Sequence, residues 1–194
     1  MNLKVKEIFY SLQGEGGRQG VASIFIRLSG CNLKCDFCDT DFAGGEDMSL
    51  KQILLHIRQF PCRWIIWTGG EPTLQLTDEC FLFFKRAGFR QAIESNGCNP
   101  LSALLNYKVV SPKGQTDYAK TINPRVSEIR LPVRANDIIP PIETLPKAVF
   151  YFLSPIFTEN EKETKANIDY CVHQVKQNPK WRLSLQIHKW IRIE

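Results

Sequence analysis

SIFIRLSGCNLKCDFCDT, residues 23–40, runs from a strand-like stretch of branched residues into a loop that gathers three cysteines. The stretch WIIWTGGEP, residues 64–72, follows the same grammar, with an apolar run that ends on glycines. Between them Ser49 is placed to cap LKQILLHIRQF (residues 50–60), where Ile53, Leu54 and Ile57 share a helical face and Pro61 stops the helix. Strand, helix, strand is the pattern of a parallel sheet with helices packed on it. Working outward, further strands are expected at 4–9, 90–94, 108–110, 127–133, 149–153 and 182–188. Thr77 is placed to cap a second helix, DECFLFFKRAG, and residues 161–177 form a third, with Ile168, Cys171, Val172 and Val175 as its apolar stripe. Proline and polar residues interrupt 113–127 and 134–147, so those crossovers are expected to be poor in helix, and 99–107 to hold at most one turn. The expectation is an α/β fold, an incomplete TIM-like barrel with about six core strands and three main helices. Its chemistry belongs at the strand ends.

The 194 residues are the length of one domain, read as 1–194. Seven cysteines, an odd number in a chain of this size, exclude a disulfide scaffold. The N-terminal stretch carries Glu7 and Glu15 and does not read as a signal peptide. No uncharged apolar run approaches the roughly 18 residues of a membrane helix. A reduced, cytoplasmic protein is expected. The formal charge of +5 is mild, and the most basic region, residues 176–192, is diluted by apolar residues, so neither nucleic acid nor a membrane is an expected partner.

Cys31, Cys35 and Cys38 lie in one loop, so three thiolates can meet one metal centre without moving any secondary element. A closed zinc site wants four ligands, whereas an iron-sulfur cluster held by three thiolates keeps one iron open. The candidate fourth zinc ligands, Cys62, His56 and Asp39, sit at no usual finger spacing. The scattered Cys62, Cys80, Cys98 and Cys171 read as packing residues.

The C-x3-C-x2-C spacing resembles that of the radical S-adenosylmethionine superfamily, and TGGEP after a strand is a second feature of that kind. The resemblance implies a [4Fe-4S] cluster whose open iron is chelated by S-adenosylmethionine, which is then cleaved to a hydrogen-abstracting radical. Within the superfamily the chain is similar to the 7-carboxy-7-deazaguanine synthases nearly end to end. The stretches that carry the likeness are EIFYSLQGEG (7–16), FIRLSGCNLKCDFCDT (25–40), TGGEP (68–72), ESNG (94–97), VSPK (110–113), SEIRLPV (127–133), LSP (153–155) and SLQIHKW (184–190). That family implies a six-stranded truncated barrel, a homodimer and a carbon-nitrogen lyase of queuosine biosynthesis. Its substrate is a small pterin, 6-carboxy-5,6,7,8-tetrahydropterin, and its electrons come from a flavodoxin-type donor or reductase.

By the same resemblance, Phe37, Cys38, Asp39, Gly70, Glu71, Ser111, Pro112 and Lys113 are expected at S-adenosylmethionine, with Glu71 accepting from its amino group. Thr40 is expected to bind Mg²⁺, although one hydroxyl is a weak ligand for a hard cation and would otherwise be a turn cap. Leu12, Gln13, Gly14, Arg27, Thr68 and His188 are expected at the substrate. An Arg27 fork suits a carboxylate. Gln13 offers a donor and an acceptor to the pterin edge. His188 is open between a carboxylate partner, a proton carrier and a packed structural residue. Family relatives can bring the C-terminal residue to the substrate; here that position is Glu194. Two other functions share part of the pattern. A glycyl-radical activase would use the triplet and GGEP without LQGEG or Arg27, and a zinc-binding module would need a fourth ligand.

Overall fold

Ile24, Ile26 and Leu28 are completely buried, and so are Ile65, Ile66 and Trp67. Ile65 to Trp67 are thus buried on both faces of their strand, the mark of a central parallel strand, whereas Ile24, Ile26 and Leu28 share one face of theirs. The computed structural model describes residues 1–114 and 116–193. Its strands are β1 (Asn2–Leu12), β2 (Ala22–Leu28), β3 (Glu46–Ser49), β4 (Trp64–Gly69), β5 (Arg90–Ser95), β6 (Tyr107–Val110), β7 (Glu128–Val133), β8 (Phe150–Pro155) and β9 (Trp181–Leu183). They form one sheet in the order β3-β1-β2-β4-β5-β6-β7-β8-β9. From β2 to β9 every pairing is parallel, while β1 and β3 add antiparallel strands at one end. The two edge strands do not pair, so the barrel is open, and β2 and β4 to β8 supply the six core strands expected.

The three expected helices are α1 (Leu50–Ile57), α2 (Asp78–Arg86) and a longer one, Glu161–Gln177. Ser49 and Gln52 form a reciprocal capping box: Ser49 Oγ accepts from Gln52 N at 3.3 Å and Gln52 Oε1 from Ser49 N at 2.8 Å. Thr77 stands at the head of α2, but its side chain makes no cap bond. The 113–127 crossover departs from expectation, because it contains a two-turn helix, α3 (Thr116–Ile122). The long third helix is therefore α4. The 182–188 stretch is also different: β9 ends at Leu183, and a short helix, α5 (Ile187–Ile191), follows. Ile187 N donates to the Gly14 carbonyl at 3.1 Å, which draws this segment off the sheet edge and over the barrel mouth.

The apolar core has two parts. One lies under β1, β2, β4 and β5 with α1 and α2; the other joins β6, β7 and β8 to α4 through Ile129, Leu153 and Cys171. Cys62, Cys80 and Cys171 are buried, and burial pushes the Cys171 thiol up to about 12. Such thiols pack and do not react. Among the described residues no helix is long and apolar enough to cross a membrane.

Candidate active site

A cavity of about 640 Å³ opens at the C-terminal ends of the parallel strands. Cys31, Cys35 and Cys38 all line it. Their loop is folded by its own backbone and sulfurs: Cys38 N donates to the Cys35 carbonyl at 3.3 Å, and Leu33 N to Cys31 Sγ at 3.4 Å. Burial raises the Cys35 thiol above its ordinary value, with the neighbouring Cys38 and Cys31 adding to the rise and Lys113 opposing it. Among the described residues no three His, Cys, Asp or Glu converge on a point that could hold one metal ion. Three thiolates on one wall suit a cluster, where each sulfur binds a different iron.

The end of β4 closes against this loop. Gly69 sits at φ +118°, and a Cβ there would stand 2.1 Å from the Leu28 carbonyl oxygen. On Gly70 a Cβ would meet the Gly30 carbonyl oxygen at 1.9 Å and Cys31 Cβ at 3.0 Å. Only bare backbone fits between the strand end and the thiols, which leaves peptide groups facing the cavity beside them.

Glu71, expected at the amino group of S-adenosylmethionine, does not line the cavity. It is fully buried, with Oε1 accepting from Thr73 N, Thr73 Oγ1 and Ser95 Oγ at 3.1, 2.6 and 2.9 Å, and Oε2 accepting from Asn96 N at 2.8 Å. The carboxylate ties the β4 loop to the β5 loop. Pro112 is likewise buried behind the wall that Ser111 and Lys113 form. Lys113 Nζ donates to Ser111 Oγ at 2.8 Å and lies 5.5 Å from the centre of the Phe37 ring; burial lowers its proton affinity. Asp39 lies 2.5 Å from Lys189 Nζ, so that, against the cost of burial, the ammonium holds this carboxyl below the usual range. Thr40 also lines the cavity.

Leu12, Gln13, Gly14, Arg27, Thr68 and His188 reach the same cavity. Arg27 pairs with Glu7, and its buried Nε has no partner among the described residues. A Cβ on Gly14 would fall 2.0 Å from His188 Nδ1, so the imidazole lies directly on that glycine. Burial lowers the His188 pKa, which favours a neutral ring at neutral pH. The Gln13 amide, expected at the pterin edge, is held by the chain itself: Nε2 donates to Glu94 Oε1 at 2.9 Å and Oε1 accepts from Glu15 N at 3.2 Å. Cys98, read as packing, sits beside the thiol loop, where its side chain bonds Asn32. Glu194 lies outside the described residues.

Sequence reasoning missed a charged group on the cavity floor. Arg130 of β7 meets three carboxylates: Glu15 Oε2 at 3.1 Å, Glu94 Oε2 at 3.0 Å and Glu128 Oε1 at 2.7 Å. Burial pushes Glu94 up to about 7; Arg130 opposes the shift, and Glu128 and Glu15 add to it. The only signal in the sequence was an Arg and two Glu on strands otherwise rich in apolar residues, at Glu94 and in SEIRLPV.

The Radical SAM superfamily model matches residues 25–171. The 7-carboxy-7-deazaguanine synthase of Bacteroides thetaiotaomicron is 40% identical over 193 residues, covering all of both chains. That of Haemophilus influenzae is 39% identical over 200 residues, covering all of this chain and 95% of its relative. The crystal structure of QueE from Escherichia coli superposes with a TM-score of 0.74 at 25% identity, covering 96% of this chain and 94% of that one. With triplet, glycine turn and LQGEG loop all inside the full-length matches to these two relatives, the chain belongs to the 7-carboxy-7-deazaguanine synthase family of the radical S-adenosylmethionine superfamily.

Proposed function

We propose that the cavity converts 6-carboxy-5,6,7,8-tetrahydropterin to 7-carboxy-7-deazaguanine with release of ammonia, and that residues 1–194 act as one domain in doing so. The observation that carries this reading is the opening of the thiol triplet, the bare β4 turn and Arg27 into one cavity. When bound, the [4Fe-4S] cluster and S-adenosylmethionine supply reversible hydrogen abstraction; the protein orients and encloses. Cys31, Cys35 and Cys38 hold three irons. Phe37, Cys38 and Asp39 on one side, and Gly70, Ser111 and Lys113 on the other, hold S-adenosylmethionine, with Glu71 and Pro112 fixing the loops that carry those contacts. Lys113, deep in the wall, balances the negative charge of three thiolates.

Arg27 binds the substrate carboxylate, and Thr68, its register partner on the neighbouring strand β4, faces the same ligand. Leu12 and Gly14 offer the ring an apolar face and a peptide edge, while Gln13 acts through Glu94. His188 as neutral imidazole can accept from or donate to the substrate. Thr40 would offer its hydroxyl to a Mg²⁺ ion, whose chemistry there would be to fix the substrate carboxylate. A homodimer in the cytoplasm, served by a flavodoxin-type reductase, completes the reading. The glycyl-radical activase is not favoured, since Leu12 to Glu15 and Arg27 line the cavity and the relatives match over the whole length.

The test is anaerobic turnover with dithionite, S-adenosylmethionine, Mg²⁺ and the pterin, read as deazaguanine acid by mass spectrometry. Absence of product from protein with an intact cluster would falsify the assignment.

A further inference from the structure

We propose that Arg130 is the positioning residue of the pterin site: its guanidinium fork holds Glu94 and Glu15 as a fixed pair of acceptors for the N–H donors of the heterocycle. The inference rests on the pterin reading above and deepens it. Arg130 reaches from β7 to the ends of two other elements. Nη1 donates to Glu15 Oε2 and Glu94 Oε2, and Nη2 to Glu94 Oε1 at 3.4 Å. One planar group with donors in a fixed fork sets the angle between two carboxylates, which a lysine cannot do.

The fork is itself braced. Nε and Nη2 both donate to Glu128 Oε1, at 2.9 and 2.7 Å, and Glu128 Oε2 accepts from Tyr107 OH at 2.8 Å and Gly17 N at 2.9 Å. Glu128 is completely buried and does not line the cavity, so its contribution is to fix Arg130. Glu15 and Glu94 do line it, and the Glu94 side chain is 20% exposed there. Gln186 Nε2 and Gln13 Nε2 restrain the two carboxylates from the mouth side, at 2.9 Å each. A charged pair this well restrained, at the floor of a cavity, is pre-organised for a donor-rich ligand edge.

The charges do not balance. Glu94 faces Arg130 and Glu128 from β7, Glu15 from the loop after β1, Arg18 from the turn before β2, and Tyr107 from β6. Three carboxylates share Arg130, and Glu94 is the one whose proton affinity rises toward neutrality. Arg130 is what keeps that group ionised and able to accept.

The experiment uses cluster-loaded protein with S-adenosylmethionine and no reductant, titrated anaerobically with 6-carboxytetrahydropterin from pH 5.5 to 9. In the unaltered protein binding weakens as pH falls through about 7. Glu94→Gln removes that inflection. Arg130→Met combined with Glu128→Gln, which deletes one charge of each sign and so spares the fold, moves it up by about one pH unit or more, a tenfold change in proton affinity. Turnover of this pair shows KM raised more than kcat is lowered. Arg130→Lys retains the inflection near its original pH but binds weakly, because charge without the fork does not orient. In parallel, pH-difference infrared spectra of the ligand-free protein follow the Glu94 carboxyl band, assigned through Glu94→Gln, and its midpoint rises in the paired variant. A paired variant that binds and titrates like the unaltered protein, or an unmoved Glu94 band, overturns the role of Arg130. Failure of the unaltered protein to bind the pterin at all overturns the pterin reading instead, and the infrared midpoint still decides whether Arg130 controls Glu94.

Discussion

Gly70 and Gly30 touch backbone to backbone: a methyl group on Gly70 would sit 1.9 Å from the Gly30 carbonyl oxygen, and Glu71 N donates to that same oxygen at 2.9 Å. The strand end and the thiol loop are thus one rigid unit. Gly70→Ala must push backbone, not a pliable side chain, and the loop carrying Cys31 moves with it. The expected result is lower iron content and S-adenosylmethionine binding weakened at least about tenfold, roughly 1.4 kcal/mol. Gly88→Ala is the control, since Gly88 has φ +87° at the end of α2 with open space around it. That variant is strained by roughly 1–2 kcal/mol and binds S-adenosylmethionine normally. Equal binding by both variants would refute the rigid contact.

The two stretches that form this contact were legible in the sequence, and so was the sheet they belong to. β4 announces itself because Ile65, Ile66 and Trp67 are buried on both faces, and β2 because the branched Ile24 and Ile26 alternate with Phe25 and Arg27. β3, Glu46-Asp-Met-Ser, was illegible for the opposite reason: it is an edge strand of polar residues held by its pairing with β1. α3 was hidden by the polar residues of its crossover, and α5 by an alternation in QIHK that reads as strand until Gly14 captures Ile187. The same split holds in the cavity. Ligands that share one loop show in their spacing. Arg130, Glu15 and Glu94 come from three distant stretches, and only the closing of the sheet makes them neighbours. Glu71 is the converse case: motif position implied a cofactor contact, and the fold places Thr73, Ser95 and Asn96 where they donate to its two oxygens, so that the carboxylate also braces the loops.

Thiol accessibility separates the seven cysteines. Cys38 is exposed and Cys31, Cys35 and Cys98 are intermediate, while Cys62, Cys80 and Cys171 are buried. Alkylation of iron-free protein, read by peptide mass spectrometry, modifies the triplet and Cys98 first and the buried three only after unfolding. Reconstitution with iron and sulfide protects the triplet. Cys35→Ala abolishes the cluster, taking iron from about four per chain to background, and abolishes turnover. Retention of a stoichiometric cluster by this variant would exclude Cys35 as a ligand.

Thr40 stands in the cavity wall two residues beyond Cys38. Thr40→Ala leaves the cluster and S-adenosylmethionine binding intact and weakens the response of turnover to added Mg²⁺. Losing one oxygen among several ligands raises the Mg²⁺ concentration for half-maximal rate by roughly tenfold, about 1.4 kcal/mol. An unchanged Mg²⁺ response refutes the ligand role.

Glu94 also imposes a pH dependence on stability that runs opposite to that of a salt-bridged surface carboxylate. Burial raises its pKa from an ordinary 4.5 to about 7 in the folded protein, so between those values the folded state holds more protons than the unfolded chain. Stability changes with pH in proportion to protons bound unfolded minus protons bound folded, and that difference is negative here. The contribution of Glu94 is therefore fully favourable below about pH 4.5 and is lost as pH rises through about 7, above which it is flat. Urea unfolding of the unaltered chain and of Glu94→Gln at pH 5, 6, 7 and 8 isolates this group, because every other titrating residue is common to both. The stability of the unaltered chain relative to the variant falls from pH 5 to pH 7 and then levels. A difference independent of pH over that span would show that Glu94 titrates normally and that Arg130 alone neutralises it.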